Sequence, residues 1–306
     1  MTALRLVVGA LALVTTLGST AHADYSKAWA AAKENLPATT KGVLVGDVAL
    51  GVKTATYATL LPMVLSEERD LQQGLALVKG ACKIDAVSVV DGFVIAGDPE
   101  AEQGAVFIQL AGIDRPKLST CIQNVLKVMG EAKATVTQDG QFTVIGNGRD
   151  AVYVAWVTAD VIVIGIEPEK KAQLQAWIGH KGAFAHSPVQ AQLAKVDVKA
   201  PGWGALALDK PFDDKDMPIR SARGTLSIAN GVFIGELIGS FASPRDAKKT
   251  ADEMTREMTR EVGRKNTPPA AKKVISAFKI KQTGAHVTVK GKVSEKDLVA
   301  AISSIK

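Results

Sequence analysis

Gly104–Met129, GAVFIQLAGIDRPKLSTCIQNVLKVM, decides the fold. Its first part alternates, Val106, Ile108 and Leu110 against Phe107 and Gln109, which is the period of a strand. Gly112-Ile113-Asp114 breaks the alternation. Leu118, Cys121, Ile122, Val125, Leu126 and Met129 then recur at spacings of three and four, the apolar face of a helix. A strand running into an amphipathic helix recurs at Gly231–Met258, GVFIGELIGSFASPRDAKKTADEMTREM. Phe107-Ile108 corresponds to Phe233-Ile234 at a distance of 126 residues (233 − 107), and Gly112 to Gly239 at 127 (239 − 112). Val161, Val163, Gly165, Glu169 and Lys170 likewise correspond to Val287, Val289, Gly291, Glu295 and Lys296, each at 126 (287 − 161). Two segments sharing nearly one offset imply an internal duplication.

Working outward, the N-terminal half opens with a helix to Asn35, with Ser26 as its cap, and a strand over Gly42–Leu50. An apolar helix follows over Thr54–Leu65, interrupted at Pro62. Ser66 caps the next, whose Leu71, Leu75 and Val78 face inward until Gly80 stops it. Asp91-Gly92 reads as a hairpin turn. After the helix to Met129 the period returns to two over 134–138, 141–145, 151–157 and 161–166. Asp139-Gly140 and Asn147-Gly148 are the turns between, as in an antiparallel meander. Pro168 opens a helix to Ile178. The C-terminal half has strands at Trp203–Leu208, Gly224–Ala229 and Val232–Ile238, then a long helix from Pro244 and another after Pro268-Pro269. A hairpin over Lys279–Val289 and a helix from Ser294 complete it. The class is α+β: two related halves, each an antiparallel sheet with helices packed on one face. A composition shift within the irregular stretch Gly179–Gly202 sets the domains at 24–196, with extra helices, and 197–306, the second of them basic.

Residues 1–23 have the three zones of an export signal: Arg5, the apolar run Leu6–Leu17, and Ala21-His22-Ala23 before Asp24. The run falls short of the roughly 20 residues a membrane-spanning helix needs. Asp24 rather than a cysteine stands at the cleavage point, which argues against lipoprotein processing. The mature chain is thus expected to be exported, periplasmic or secreted. At 47% hydrophobic residues it has ample material for packed cores.

Cys82 and Cys121 are the two cysteines. In an oxidising compartment such a pair reads as one disulfide, worth roughly 3–4 kcal/mol for a loop of about 40 residues; the alternative is two buried thiols. Cys82-Lys83-Ile84-Asp85, followed by a hairpin and a helix carrying Cys121, resembles uncharacterised exported bacterial proteins with two cysteines. The resemblance spans roughly residues 82–130 and implies the disulfide and an envelope location, with no activity to transfer.

Chemistry is sparse. The chain lacks a G-x-S-x-G elbow, an H-E-x-x-H helix, a phosphate-binding loop and a dinucleotide fingerprint. His180, His186 and His286 have no nucleophile or ligand set at suitable spacing, so no catalytic, cofactor or metal residues are assigned. Asp213, Asp214 and Asp216 lack the spacing of a calcium loop and read as a solvated connection. Gly146-Asn147-Gly148-Arg149 reads as a turn rather than an anion nest.

Charge is the uneven feature. Pro244–Lys306 holds fifteen Lys or Arg and seven Asp or Glu, +8, within a chain of +6, so the remainder is −2 (6 − 8). The helix from Pro244 interleaves its charges at i,i+3 and i,i+4, as a solvated face does. Lys272, Lys273, Lys279 and Lys281 have few acids near them in sequence and are the candidates for contact with an anionic surface, lipid headgroups or acidic glycans. Nucleic acid does not fit the compartment, and Phe278 is the one aromatic there for stacking.

The sequence therefore supports an exported, non-catalytic binding or structural protein of the bacterial envelope. A carrier of an apolar ligand, motivated by the Tyr57–Leu65 run, is the second reading, and a hydrolase with an unfamiliar site the third. Export predicts that sequencing the envelope-derived protein begins at Asp24; mature protein retaining Met1 contradicts it.

Overall fold

The computed structural model describes residues 25–131, 134–146, 151–167, 169–211 and 218–304. The leader, the expected Asn147-Gly148 turn and Pro168 lie outside them. The chain forms two compact units, one of Asp24–Ala49 with Pro62–Pro188, the other of Leu50–Leu61 with Val189–Lys306. The second unit thus begins a few residues before the boundary expected at 197 and also takes in a segment from far upstream. Leu50 explains why: it is buried in a cluster with Ile228 and Phe233, against Leu226 and Leu298.

The elements in order are α1 (Ser26–Asn35), β1 (Gly42–Asp47), α2 (Val48–Gly51), α3 (Ala55–Glu67), α4 (Arg69–Cys82), β2 (Val90–Asp98) and β3 (Gln103–Leu110). They continue with α5 (Arg115–Val128), β4 (Val136–Asp139), β5 (Phe142–Ile145), β6 (Val152–Trp156), β7 (Val161–Gly165) and α6 (Lys171–Gln175). After a 3-10 turn at Ala183–His186 come α7 (Gln190–Leu193), β8 (Gly202–Ala207), β9 (Ile219–Ala229) and β10 (Val232–Phe241). The last are α8 (Pro244–Gly263), α9 (Pro269–Ser276), β11 (Phe278–Thr283), β12 (His286–Ser294) and α10 (Glu295–Ser303). The architecture is α+β with antiparallel strand pairing, as expected.

The strand order is β1-β2-β3-β7-β6-β5-β4 in the N-terminal unit and β8-β9-β10-β12-β11 in the C-terminal one. In each unit the last strand pairs with the third, β7 with β3 and β12 with β10, but four strands (β4–β7) follow the third strand and its helix in the N-terminal unit and two (β11, β12) in the C-terminal one. The residue correspondence does not follow this pairing. Phe107 pairs with Val163. Their counterparts at 126 are not partners, because Phe233 pairs with Val293 and Leu237 with Val289, a shift of four residues (293 − 289). An even shift keeps each side chain on its own face, so both sheets retain their apolar sides.

In the N-terminal unit, Val45, Val94, Phe107, Val161 and Val163 are fully buried on one face. Beneath α1 that face also carries Gln109, which is buried. Its Oε1 accepts the backbone N–H of Lys27 at 3.1 Å and of Ala28 at 3.2 Å, and its Nε2 donates to Asp91 Oδ2 at 3.3 Å. The helix is thus capped by a side chain from β3. Ser26 was the expected cap, but Tyr25 holds the N-cap position and makes no side-chain cap bond. An ion pair from Lys27 to Asp160 adds a second tie and holds the Asp160 carboxyl below its ordinary pKa. The other face buries Leu110, Val154, Trp156 and Ile162, with Leu118 of α5 packed on them. Asp114 caps α5 by accepting from Lys117 N–H at 2.9 Å, and Pro116 occupies its first turn.

Three local expectations give way to packing. Asp91-Gly92 makes no hairpin; β2 runs through it, with a register irregularity between Val90 and Gly92, and the chain turns after Asp98. Gly92 is needed there because a Cβ would lie 2.6 Å from Cβ of Tyr25. α3 continues through Pro62 to Glu67. Ser66 does not cap α4, which starts at Arg69 and passes Gly80 to end at Lys83 in the left-handed region, φ 57°. The disulfide is present: Cys82 at the end of α4 is bonded to Cys121 on α5.

Gln109→Ala should cost about 1–3 kcal/mol, since two backbone donors and Asp91 lose their partner, while Gln123→Ala, on an exposed position, should stay within about 0.5 kcal/mol. Chemical denaturation checks both. The depressed Asp160 pKa contributes stability above the unfolded carboxylate value, and that contribution is lost as pH falls through the folded value. Amide exchange in α1 should therefore rise on acidification below about pH 4, and Asp160→Asn should remove that dependence.

Candidate functional site: the open face of the C-terminal sheet

Side chains alternate across a strand, so β12, with HVTVKGKVS, sorts itself in two. Val287 and Val293 are buried with Gly291 on one side, while His286, Lys290 and Lys292 are exposed on the other. β11, with FKIKQT, does the same in register. Phe278 pairs with Gly291 and Ile280 with Val289, while Lys279 pairs with Lys290 and Lys281 with Thr288.

The apolar side carries the long helices. Ala247 and Ala251 of α8 pack on Phe241 and Val287, with Ile219, Ile280 and Met254 around them. Leu298 of α10 joins the Ile228–Phe233 cluster. Ser243 and Ser294 cap these helices, accepting from Asp246 N–H and Asp297 N–H at 3.1 Å each. Glu295 Oε1 also accepts the Thr56 N–H at 3.1 Å, which fixes the start of α3 to this unit.

Among the described residues of this unit, α7 covers the opposite side toward β8 and β9. Gln192 Nε2 donates to Ser221 Oγ at 3.1 Å, Arg223 Nη1 donates to Gln192 Oε1 at 3.2 Å, and Trp203 is buried. Beyond it the face is open over β10, β12 and β11. On that side of β9 to β12, read from the pairing, stand Arg223, Lys279, Lys281, Lys290 and Lys292. The facing carboxylate is Glu236, which pairs with Lys290 at 2.9 Å. Among the described residues no ion pair engages Lys279, Lys281 or Lys292. Ile234, the β12 neighbour of Lys292, is 41% exposed and sets an apolar side chain among the ammonium groups.

The four lysines expected from sequence are therefore divided. Lys279 and Lys281 are on the open face. Lys272 and Lys273 are on α9, which packs with α8 and α10 in the helical layer. Lys273 donates to Asp297 Oδ1 at 2.7 Å, and this bond, with that from Ser294, keeps the Asp297 carboxyl below its ordinary pKa. Lys290 and Lys292, which sequence reasoning passed over, take their place. Their signal was the strict alternation of His286–Ser294, obscured by the nearness in sequence of Glu295 and Asp297.

Part of the helix charge is paired at the spacings the sequence implied: Lys248–Asp252 at 2.8 Å, Arg260 with Glu257, and Arg264, just past the helix end, with Glu261 at 2.7 Å. An open hollow of about 650 Å³ follows Arg245, Lys249 and Arg256 along α8 without a buried polar group to define a ligand. A second, of about 30 Å³, is lined by Lys195, Arg223, Glu236 and Ile238. Neither is apolar. His180 shares a hydrogen bond of 3.0 Å with the Ala176 carbonyl, and His286 one of 2.9 Å with Ser240 Oγ. Asp213, Asp214, Asp216 and Asn147–Arg149 lie outside the described residues. Among those described, no three His, Cys, Asp or Glu side chains could hold a metal ion, and no helix is long and apolar enough to cross a membrane.

No protein-family model and no curated protein sequence matches the chain. Among solved structures it is similar to TP0453. Crystal form III is 11% identical, with 88% of this chain and 96% of that one covered at a TM-score of 0.49. Crystal form IV is 10% identical, with 90% and 98% covered at 0.43. Crystal form I is 9% identical, with 88% and 95% covered at 0.42. At such values the likeness carries no argument about function.

Proposed function

We propose that the protein is an exported, non-catalytic binding or structural protein of the bacterial cell envelope, and that it works through the open face of its C-terminal sheet. One observation carries this reading: among the described residues Lys279, Lys281, Lys290 and Lys292 share the open face with one carboxylate, Glu236, which engages Lys290. A surface that served only to keep the chain soluble would intersperse the two signs, as α8 does. A one-signed face attracts a partner of opposite charge and rejects like-charged ones.

The carrier reading draws on α3, whose stretch Ala55–Ser66 has no charged residue and buries only Thr56. It needs an apolar cavity, and the hollows described above are lined by charged side chains. The binding reading therefore accounts for more of the structure.

Fractionation tests it. Mature protein added back to washed envelope material should sediment with it at about 50 mM salt and be released by about 200 mM, as exposed charges are screened beyond about 10 Å at 0.1 M. A variant with Lys279, Lys281, Lys290 and Lys292 all changed to Gln should remain in the supernatant at both concentrations, with an unchanged melting temperature. Equal sedimentation of the two proteins contradicts the reading.

A further inference from the structure

Resting on that reading, the geometry points to a definite partner for the lysine face: the phosphate-bearing surface of an anionic lipid bilayer, met by the sheet lying face down. The argument begins with how the cations are arrayed. Lys279 and Lys281, like Lys290 and Lys292, are two residues apart on one strand, about 6.6–6.8 Å along it. Lys279 and Lys290 are register partners on adjacent strands, about 5 Å apart at the backbone. The four ammonium groups thus cover a patch two strands wide, and their side chains rise from the plane of the sheet rather than from its edge.

An acidic polypeptide added as a further strand would pair along the outer edge of β11. There it would lie beside Lys279 and Lys281 and one strand farther from Lys290 and Lys292, so half of the array would have no partner. A planar field of headgroups reaches all four at once and requires no register.

Ile234 supports the same occupant. It is 41% exposed on the open face beside Lys292, so part of an apolar side chain stands among the lysines of this face. At a bilayer surface an apolar side chain enters the boundary between headgroups and acyl chains, while neighbouring lysines bury their methylene stems and keep their ammonium groups at the phosphates. The long helices of this unit lie on the other side of the sheet, α7 stands on this side only toward β8 and β9, and no other described element of the unit covers β10, β12 and β11. Lys290 contributes less than the others because Glu236 already engages it.

Near an anionic surface each unpaired lysine is worth roughly fivefold in partition, the equivalent of about 1 kcal/mol. Lys279, Lys281 and Lys292 together therefore predict a loss of roughly a hundredfold when all three are changed to Gln. Co-sedimentation of the mature full-length protein with vesicles tests this. Phosphatidylglycerol–phosphatidylcholine vesicles are compared with pure phosphatidylcholine at about 50 mM salt, and soluble poly-glutamate is the competing ligand.

Binding to the anionic vesicles alone, lost in the triple variant and weakened severalfold by Ile234→Ser, is the expected result. Ile234→Ser should leave the affinity for poly-glutamate unchanged. Lys248→Gln with Lys249→Gln and Lys265→Gln, on α8 and just past its end, is the charge-matched control and should bind the vesicles as the wild type does. Binding to poly-glutamate but not to vesicles would overturn the bilayer as partner while leaving envelope retention intact. An α8 variant that loses as much vesicle binding as the triple variant would overturn the assignment of the face.

Discussion

The alternation of β12 is the constraint on which the exposed lysine face depends. Each of its buried valines requires the next residue to leave the core, and the positions so released carry His286, Thr288, Lys290 and Lys292. The buried side is held in turn by α8, through Ala247, Ala251 and Met254 against Val287 and Phe241. Register makes the array two strands wide: with Ile280 opposite Val289, Lys279 must stand opposite Lys290. A slip of one residue would carry the lysines into the core, at a cost the fold could not bear. The charged face is thus enforced by the same packing that stabilises the unit.

The N-terminal unit shows the same logic applied inward. Its sheet buries the central part of one face, over β1, β2, β3 and β7, and Gln109 stands there as a polar residue whose bonds to Lys27, Ala28 and Asp91 are all internal. An unpaired amide there would be costly, so its satisfaction fixes where α1 starts and how it docks. On the far face, α4 has no buried residue and meets α5 through Cys82–Cys121. A covalent tie does there what a packed core does elsewhere.

Much of this was legible in the sequence, and the parts that were not share a cause. Period-two runs and Asn-Gly or proline punctuation marked most strands and the start of α8, because local alternation and turn chemistry act within a few residues. The cysteine pair was legible from its compartment and its count. What escaped depended on contacts distant in sequence. Gln109 caps a helix some eighty residues away, Tyr25 forbids a side chain at Gly92, and Leu50 leaves its sequence neighbours to complete a core with Phe233. The lysines expected from sequence are split by the fold. Lys272 and Lys273 lie close in sequence to Lys279 and Lys281, but a change from helix to strand between them puts the two pairs on opposite sides of the sheet. Lys290 and Lys292, nearer to Glu295 and Asp297 in sequence, share a face with neither of them.

Amine footprinting addresses the central claim directly, since it reads each lysine separately. Mature protein labelled with an amine-reactive reagent, free and then bound to envelope material at low salt, should lose reactivity at Lys279, Lys281 and Lys292. Lys248, Lys249 and Lys265 should label equally in both states. Protection confined to the α8 lysines, or bound protein with an unchanged labelling pattern, would contradict the account.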